Sequence, residues 1–440
     1  MKTTPSRITL IFFVLTIFFL SICTTAVAAA AKNPVIIGFI GSFDSDSGKS
    51  TLRGAEIAIE ELNAKGGILG GRQIKLVKAD TGQDVTEGIK AYEYLNEKEK
   101  VDFIISGCID DVSLGWLPRM AEYRTPTLDT WTSSYLAIEK VRNEYEKYKM
   151  YFMNVPNDWA LGTQYVDFGK DILANKMGWK TCVIMQEDTA YAAGVFELIK
   201  DAILPEAGIE MVDHVVYDVN TVDFSPIYNN ITKTNPDFIY LISSVKCVVP
   251  TSQYVKLQVP IPITGINVAA VGEEYWTDTG KMGGGMSTLM PPPTLGMEMD
   301  PRTAKFIETY KSKYKSRPVY PHFNGFNAYY GIYNAVNAAE RAGGFKPLDA
   351  WVKEMENEDL KIYKDGTLWL RYAYWKPGEI EPRTQLAWPH NIRFDISPPI
   401  EDGIPSLIVI QWYPDGSVKC VYPPKYANGE FAVPPWAKKK

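Results

Sequence analysis

Short apolar runs alternate with amphipathic stretches in the first part of the chain. Over residues 34–128 this alternation predicts four strands separated by three helices. The predicted strands are residues 35–40, 74–79, 102–106 and 125–128. The predicted helices are residues 51–65, 85–97 and 114–123. A strict order of strand and helix predicts a parallel sheet with helices on both faces.

The same alternation restarts after a junction near residues 154–159 and predicts a second α/β lobe. Its predicted helices are residues 160–176, 193–203, 224–233 and 249–257. Its predicted strands are residues 181–186, 210–217, 237–242 and 263–265. The Gly/Pro-rich run GGGMSTLMPPP then predicts a loop or a crossing between lobes.

The last third of the chain has a less regular pattern. Two helices are predicted at residues 301–314 and 324–342, and a closing hairpin at 407–412 and 417–422. The segment 362–399 is rich in Trp, Tyr and Pro and has no clear period. Three roles stay open for it, since it could extend a lobe, brace a hinge or present a surface to a partner.

Residues 1–31 have the features of a secretory signal peptide. Lys2 and Arg7 precede an apolar core at residues 8–22, and Ala26-Val27-Ala28 fits a cleavage site. The alternatives are an uncleaved membrane anchor, for which the core is short, and a lipid anchor at Cys23, where Ile22 is too large. We therefore expect an exported chain in the periplasm or at the cell surface.

Composition narrows the class of partner. About 400 residues remain after cleavage, so we expect two or three domains. The formal net charge of −6 argues against nucleic acid or an anionic membrane as partner. No His, Cys or carboxylate spacing indicates a metal site or a cofactor, and four dispersed cysteines leave room for one disulfide without choosing the pair.

The run GSFDSDSGKST resembles a phosphate-binding loop but has the wrong spacing. The motif needs four residues between its first glycine and Gly48-Lys49-Ser50, and that position is Phe43. The nearest glycine, Gly41, leaves six residues between. We expect this segment to line a ligand cleft instead, with Lys49 solvated.

Several longer stretches carry a family resemblance. They are IIGFIGSFDSDSGKSTLRGAEIAIEELNAKGGILGGRQIKLVKAD, DFIISGCIDDVS, AEYRTPTLDTWTSS, QEDTAYAAGVFELI and DFIYLISS. Together they resemble the branched-chain amino-acid-binding proteins of ABC importers over nearly the whole mature chain. The resemblance implies an α/β fold of two Rossmann-like parallel-sheet lobes joined by a multi-strand hinge, the type I periplasmic binding-protein fold.

The resemblance also implies a domain division and a function. Lobe 1 would comprise residues 32–156 and 289–405, with an insertion at about 362–399, and lobe 2 residues 157–288. Residues 406–440 would return to lobe 2 and form the C-terminal tail. The implied function is capture of an amino acid or related small polar solute for a membrane permease, by a monomer without enzymatic activity. The alternatives are a ligand sensor of the same fold and, less favoured, an exported hydrolase.

Lobe 1 supplies the first set of residues that the resemblance places in the cleft. In the family, a hydroxyl and backbone amides of this lobe grip the ligand carboxylate, but the usual serines are absent from the loop at 107–111. Asp110 either caps the following helix or meets a cationic or N–H-bearing group of the solute. The predicted contacts of lobe 1 are Asp46, Ser47, Ile109, Asp110, Thr130, Trp131 and Thr132.

Lobe 2 and the hinge supply the second set, which is Trp159, Tyr191, Ser244 and Asn267. Tyr191 matches the family's cleft tyrosine. Asn267 stands where the family has an acidic residue that pairs with the ligand ammonium, and an amide brings no charge there. Because both halves of the amino-acid grip are altered, the ligand is expected to differ from an ordinary amino acid.

Overall fold

The computed structural model describes residues 32–382, 384–395, 404–405 and 407–437. The predicted signal peptide, Cys23 and the end of the 362–399 segment lie outside these residues. The first part of the chain forms a parallel sheet in the order β2-β1-β3-β4-β5. Its strands β1 to β5 are Val35–Gly41, Ile74–Asp80, Phe103–Gly107, Thr127–Asp129 and Tyr151–Met153.

Six helices follow or connect these strands. In chain order α1 to α6 they are Asp46–Ala64, Val85–Glu97, Asp110–Trp116, Met120–Tyr123, Tyr135–Asn143 and Tyr145–Tyr148. The prediction missed α5 and α6. It also placed the start of α1 too late, because Ser45 caps the helix with its hydroxyl, which accepts from the Gly48 amide at 3.0 Å. The Gly-Lys-Ser run therefore lies inside the helix.

A second parallel sheet has the order β7-β6-β8-β9. Strands β6 to β9 are Thr181–Glu187, Glu210–Tyr217, Phe238–Ser243 and Ile263–Asn267. Helices α7 to α12 are Asp158–Phe168, Ala190–Leu198, Leu204–Ala207, Ser225–Thr234, Val248–Lys256 and Tyr275–Asp278. Short π-helical segments continue α7 over Gly169–Lys176 and α8 over Ile199–Ile203. This sheet and these helices are called lobe 2 below.

The chain then returns to the first sheet. Helices α13 to α15 are Pro301–Lys313, Phe323–Ala342 and Leu348–Glu356. With β1–β5 and α1–α6 they are called lobe 1 below. Strand β10 (Ser287–Met290) joins β17 (Ile408–Trp412) and β18 (Val418–Tyr422) in an antiparallel sheet. The predicted hairpin at the end of the chain is confirmed by the pairing of β17 and β18.

Helix α14 is buried along most of its length and packs closely on α1. A β-carbon on Gly54 would lie 2.1 Å from the Gly325 carbonyl oxygen, so only glycine fits at this crossing. Ser50 and Gly54 meet the start of α14, and Glu61 meets Tyr329 further along. The two helices therefore run in the same direction.

Part of the irregular 362–399 segment braces the end of β5. It begins with the hairpin β11–β12 (Asp359–Lys364 and Thr367–Ala373), and short pairs follow at β13–β14 (Ile380–Glu381, Leu386–Ala387) and β15–β16 (Phe394–Asp395, Ile404–Pro405). Buried Asn391 accepts from the Asn157 amide at 3.1 Å and donates to the Val155 carbonyl at 2.6 Å. The described part of the segment fixes the chain where lobe 1 leads into lobe 2, and its Ile362, Leu370 and Tyr372 also extend the core of lobe 1, so it takes the first two of the three roles left open.

Candidate functional site

The loops after the two parallel sheets approach each other at Asp110 and Tyr191, and the space beside these residues is called the cleft below. In parallel sheets the carboxyl ends of the strands present loops and helix N-termini to ligands. The Asp110 carboxylate of lobe 1 is close enough to Tyr191 of lobe 2 to raise the pKa of the phenol, although burial is the larger cause. Yet 46% of Tyr191 is exposed. A residue that is accessible to solvent and still surrounded by protein is typical of a cleft wall.

Asp129, at the end of β4, accepts from two amides of the following loop. Its Oδ1 accepts from the Trp131 and Thr132 amides at 3.1 and 3.0 Å. Its Oδ2 accepts from the hydroxyls of Ser113 at 2.7 Å and Ser106 at 3.2 Å. The side chain is fully buried, and burial raises the pKa of its carboxyl despite these four donors. Asp129 was not among the predicted contacts.

Asp110 occupies the next two amides of the same loop. Its Oδ1 accepts from the Ser133 amide at 2.9 Å and the Ser134 amide at 3.2 Å. The expectation that Asp110 caps helix α3 is wrong, because Ile109 holds the N-cap position and Asp110 lies in the first turn. Burial raises the pKa of Asp110, and the nearby charges of Asp129 and Asp111 add to this rise.

The threonines of this loop are turned inward. Thr130 donates its hydroxyl to the Ser106 carbonyl at 2.8 Å, and Thr132 donates to the Cys108 carbonyl at 3.3 Å. Both are fully buried, whereas Trp131 and Ile109 are half-buried. All four amides from Trp131 to Ser134 and both threonine hydroxyls are thus engaged within the protein.

A second carboxyl stands near Asp110 at the start of α7. Asp158 accepts from the Tyr135 amide at 3.1 Å, and burial together with the charge of Asp110 raises its pKa to about 7. The next residue, Trp159, is 46% exposed and meets the Tyr135 ring edge-on with 6.4 Å between centroids. This end of the cleft therefore combines two carboxyls with an accessible aromatic ring.

In lobe 2, Glu187 accepts hydrogen bonds from loop amides, as Asp129 does in lobe 1. It ends β6, is fully buried and accepts from the amides of Ser244 at 2.7 Å, Val245 at 3.0 Å and Lys246 at 3.1 Å. The Ser244 hydroxyl also donates to Glu187. Ser244 is therefore engaged by a residue that the sequence reasoning missed. The available signal was an acidic residue directly after a buried apolar strand, a feature that Asp129 and Glu187 share.

Asn267 is fully buried at the end of β9. Its side-chain nitrogen donates to the Cys247 carbonyl at 3.0 Å and the Thr251 hydroxyl at 2.9 Å, and its oxygen accepts from the Ala270 amide at 3.1 Å. The bond from Ala270 caps the short 3₁₀ turn Val268–Val271, and the other two attach the side chain to the first turns of α11. The amide has no accessible atom in this arrangement of the lobes.

Asp46 and Ser47 contact other parts of the protein. Asp46 accepts from Arg317 at 2.7 Å, and the Ser47 hydroxyl lies 3.4 Å from Nδ1 of His322. Arg317 reaches Asp278 of lobe 2 at 2.8 Å as well. The start of α1 therefore takes part in a contact between the lobes. Lys49 points away from this contact, because its Nζ donates to the Asp44 carbonyl.

Of the predicted residues, the structure places Asp110, Trp159 and Tyr191 around the cleft with side-chain atoms available. Thr130, Thr132, Ser244 and Asn267 lie beneath them with their polar groups engaged. In the described part of the chain, no cluster of His, Cys, Asp and Glu could hold a metal ion, and no helix is long and apolar enough to cross a bilayer. The four cysteines in that part are buried free thiols, so none of them forms the disulfide that the sequence left open.

Known proteins share this architecture. Residues 34–371 match the model of the periplasmic binding protein family. The "Leu/Ile/Val-binding protein homolog 7" of Brucella melitensis is 24% identical over 434 residues, which covers 92% of this chain and 96% of that protein.

Two solved structures show the same fold. A putative branched-chain amino acid ABC transporter from Silicibacter pomeroyi has a TM-score of 0.72 at 20% identity, covering 92% of this chain and 100% of its own. The substrate-binding protein LivJ from Streptococcus pneumoniae, in complex with isoleucine, has a TM-score of 0.66 at 16% identity, covering 89% and 100%. The α/β fold expected from the sequence is confirmed, and the chain belongs to the periplasmic binding protein family.

Proposed function

We propose that this chain is the extracytoplasmic substrate-binding component of an ABC importer. It captures a small polar solute between its lobes and delivers it to a membrane permease, after export with residues 1–31 removed. The observation that supports the proposal is that Asp110 of lobe 1 and Tyr191 of lobe 2 are near enough to interact electrostatically, while 46% of Tyr191 stays exposed. The division into lobes at residues 156, 288 and 405 is part of the proposal, as is the monomeric state.

The lobe 1 side of the cleft supports a solute that presents N–H groups or a positive charge. The amides from Trp131 to Ser134 are taken by Asp129 and Asp110, so no free amide of this loop remains for a ligand carboxylate. A carboxylate placed here would instead face Asp110 and Asp158. Two like charges brought together in a partly desolvated site cost several kcal/mol unless one is protonated.

Aromatic side chains support the same class of solute. Trp159, which follows Asp158 in the chain, and Tyr191, which is near Asp110, are both 46% exposed. A cation close to an aromatic face gains about 0.5–2 kcal/mol, depending on how far it is desolvated. An amine, amidine, amide or urea group would thus find acceptors and ring faces together.

Capture requires closure of the lobes on the solute. The solute favours the closed state only by the extra affinity it has for that state. Tyr191 belongs to lobe 2 and Asp110 to lobe 1, so a solute that touches both links the lobes. We propose no chemical change of the solute, and mass spectrometry of recovered solute after long incubation would reveal any turnover.

A thermal-shift screen of refolded, ligand-free protein tests the proposal. The panel contrasts amines, amidines, amides and ureas with L-amino acids, short carboxylates and aromatic acids. A ligand specific for the native state raises the apparent stability in a saturable way. We expect the first group to stabilise the protein and Asp110→Asn to reduce the effect. Stabilisation by carboxylates alone would contradict this solute class, and no saturable ligand in either group would contradict the binding function.

A further inference from the structure

A second cavity lies on lobe 1, away from the cleft. It has a volume of about 330 Å³ and is lined by Glu61, Lys65, Arg302, Lys305, Tyr329 and Tyr333. Glu61 is fifteen residues beyond Asp46 on α1, which corresponds to about 22 Å along a helix from the edge of the cleft. The cavity between α1, α13 and α14, called the side pocket below, is therefore a separate feature.

Arg302 is held in the side pocket by aromatic rings and by no carboxylate. Its guanidinium carbon lies 4.4 Å from the ring centroid of Tyr333, 5.0 Å from Tyr330 and 5.5 Å from Tyr329. None of the ion pairs found among the described residues involves Arg302. The rings hold the guanidinium beside the Tyr329 hydroxyl, and its N–H groups meet no carboxylate among the described residues, so a bidentate acceptor can approach them.

The one carboxylate of the side pocket is already engaged. Glu61 accepts from the Tyr329 hydroxyl at 3.0 Å and from the Tyr333 hydroxyl. Both phenols donate hydrogen bonds to the Glu61 carboxylate. Among the described residues, Glu61 forms no ion pair with Arg302. The lining thus carries three formal positive charges and one negative charge.

Three neighbouring cations of lobe 1 are paired, whereas the three cations of the side pocket have no ion pair among the described residues. Lys311 forms an ion pair with Glu273, Lys313 with Glu60, and Arg317 with Asp46. Lys65, by contrast, stands 5.4 Å from the Tyr333 centroid, and neither it nor Lys305 has an ion-pair partner among the described residues. The chain as a whole has a net charge of −6, so this local group of unpaired positive charges is opposite in sign to the net charge of the protein.

We propose that the side pocket binds a small oxyanion, a carboxylate or phosphate group held by the Arg302 fork, with Lys65 and Lys305 adding charge. Its volume is at the lower end of the range for small-molecule sites, about 300–1,000 Å³. Guanidinium geometry matches both kinds of group in bidentate fashion. Because the site is open to solvent, its affinity falls as ionic strength rises.

Isothermal titration of the mature chain with succinate, citrate and inorganic phosphate tests this, at ionic strength kept constant with sodium chloride. We expect saturable binding of at least one of the three, and comparison of the arms identifies the class. Arg302→Gln should weaken anion binding by about tenfold or more, since the substitution removes the bidentate donor. Lys315→Gln is the matched control, because it removes one positive charge outside the side pocket. Lys315 is exposed and has no ion pair among the described residues, so this variant should bind the anions as the wild type does.

Tyr333→Phe gives an independent test because the ring is kept. Loss of the phenol frees Glu61 to approach Arg302, so anion affinity should fall while circular dichroism and the melting temperature stay close to wild type. Absence of saturable binding by all three anions, or equal binding by Arg302→Gln, would overturn the proposal. Neither result bears on the cleft. Carboxylate ligands of the cleft are measured on the Arg302→Gln variant, so that binding in the side pocket does not contribute.

Discussion

The Arg317 guanidinium of lobe 1 forms an ion pair with the Asp278 carboxylate of lobe 2, with 2.8 Å between Nη1 and Oδ2. The same guanidinium holds Asp46, at the start of α1, through its Nε. Two neighbouring contacts join the same segments, Lys311 with Glu273 and the Val319 amide with Glu274. These polar contacts link the lobes outside the covalent connections.

Arg317→Gln should loosen the arrangement of the lobes with little effect on folding. More than half of the Arg317 side chain is exposed, so its ion pairs contribute at most about 1 kcal/mol to the free energy of unfolding. We expect small-angle scattering to show a larger radius of gyration for the ligand-free variant. Lys313→Gln, which removes an ion pair inside lobe 1, is the control. An unchanged radius in Arg317→Gln would mean that the contact does not hold the lobes.

Glu356→Gln should lower stability in a pH-dependent way. Glu356 accepts from Nε2 of buried His390 at 2.8 Å and from the Tyr145 hydroxyl at 2.6 Å. Burial alone would raise the pKa of Glu356, but these hydrogen bonds outweigh it and the pKa is lowered. A lowered carboxyl pKa stabilises the fold above the unfolded value, about 4.3, and this contribution is lost as pH falls through the folded value.

Urea unfolding at two pH values measures this effect. The variant should lose about 1–3 kcal/mol of unfolding free energy at neutral pH, and the difference from wild type should shrink below about pH 4. Glu354→Gln, which removes the partner of the more exposed Arg341, should show a much smaller loss. A difference that does not change with pH would contradict the assignment to the Glu356 carboxylate.

Asp158 should make the binding of a cationic solute depend on pH. Its pKa is raised to about 7 by burial and by the charge of Asp110. The raised pKa disfavours the ionised form, so the empty protein loses stability as pH rises from the unfolded value, about 3.9, through 7. A bound cation offsets that loss. The affinity for an amine should therefore increase across neutral pH, as measured by calorimetry.

The variants Asp158→Asn and Asp111→Asn separate this effect from general charge. Asp158→Asn should give an affinity that is flat across neutral pH. Asp111 lies exposed in the same turn as Asp110, and its replacement should leave the pH dependence in place. An equal flattening by both variants would assign the pH dependence to net charge instead.

The positions of the strands along the chain were predictable from the sequence, because buried parallel strands are short apolar runs between helices. The nine strands β1–β9 include all eight that were predicted, and β5 was the one missed. Helix boundaries were less well predicted. Helix α3 begins at Asp110 and gives way to a 3₁₀ turn at Leu117, because Pro118 cannot donate the hydrogen bond that would continue it.

The hydrogen bonds made by the backbone amides of residues 131–134 could not be predicted from the sequence. Asp110 meets Ser133 and Ser134 from a position 23 residues away, and that contact depends on how two adjacent strand ends are aligned. The sequence did indicate that the family's amino-acid grip was altered at Asp110 and Asn267. The acidic residues at the ends of two apolar strands did mark Asp129 and Glu187, but the sequence did not show which amides they accept from.

Matched ligand triplets give the most direct test of the solute class. The first set shares the side chain of leucine. L-leucine carries both charged groups, 3-methylbutylamine carries the amine alone and 4-methylpentanoate carries the carboxylate alone. L-phenylalanine, phenethylamine and 3-phenylpropanoate form a second set. If Asp110 and Asp158 face the solute, calorimetry on ligand-free protein should show each amine binding more tightly than its acid and its amino acid, and Asp110→Asn should remove that preference. Tighter binding of the acids or of the amino acids, unchanged in Asp110→Asn, would contradict the account.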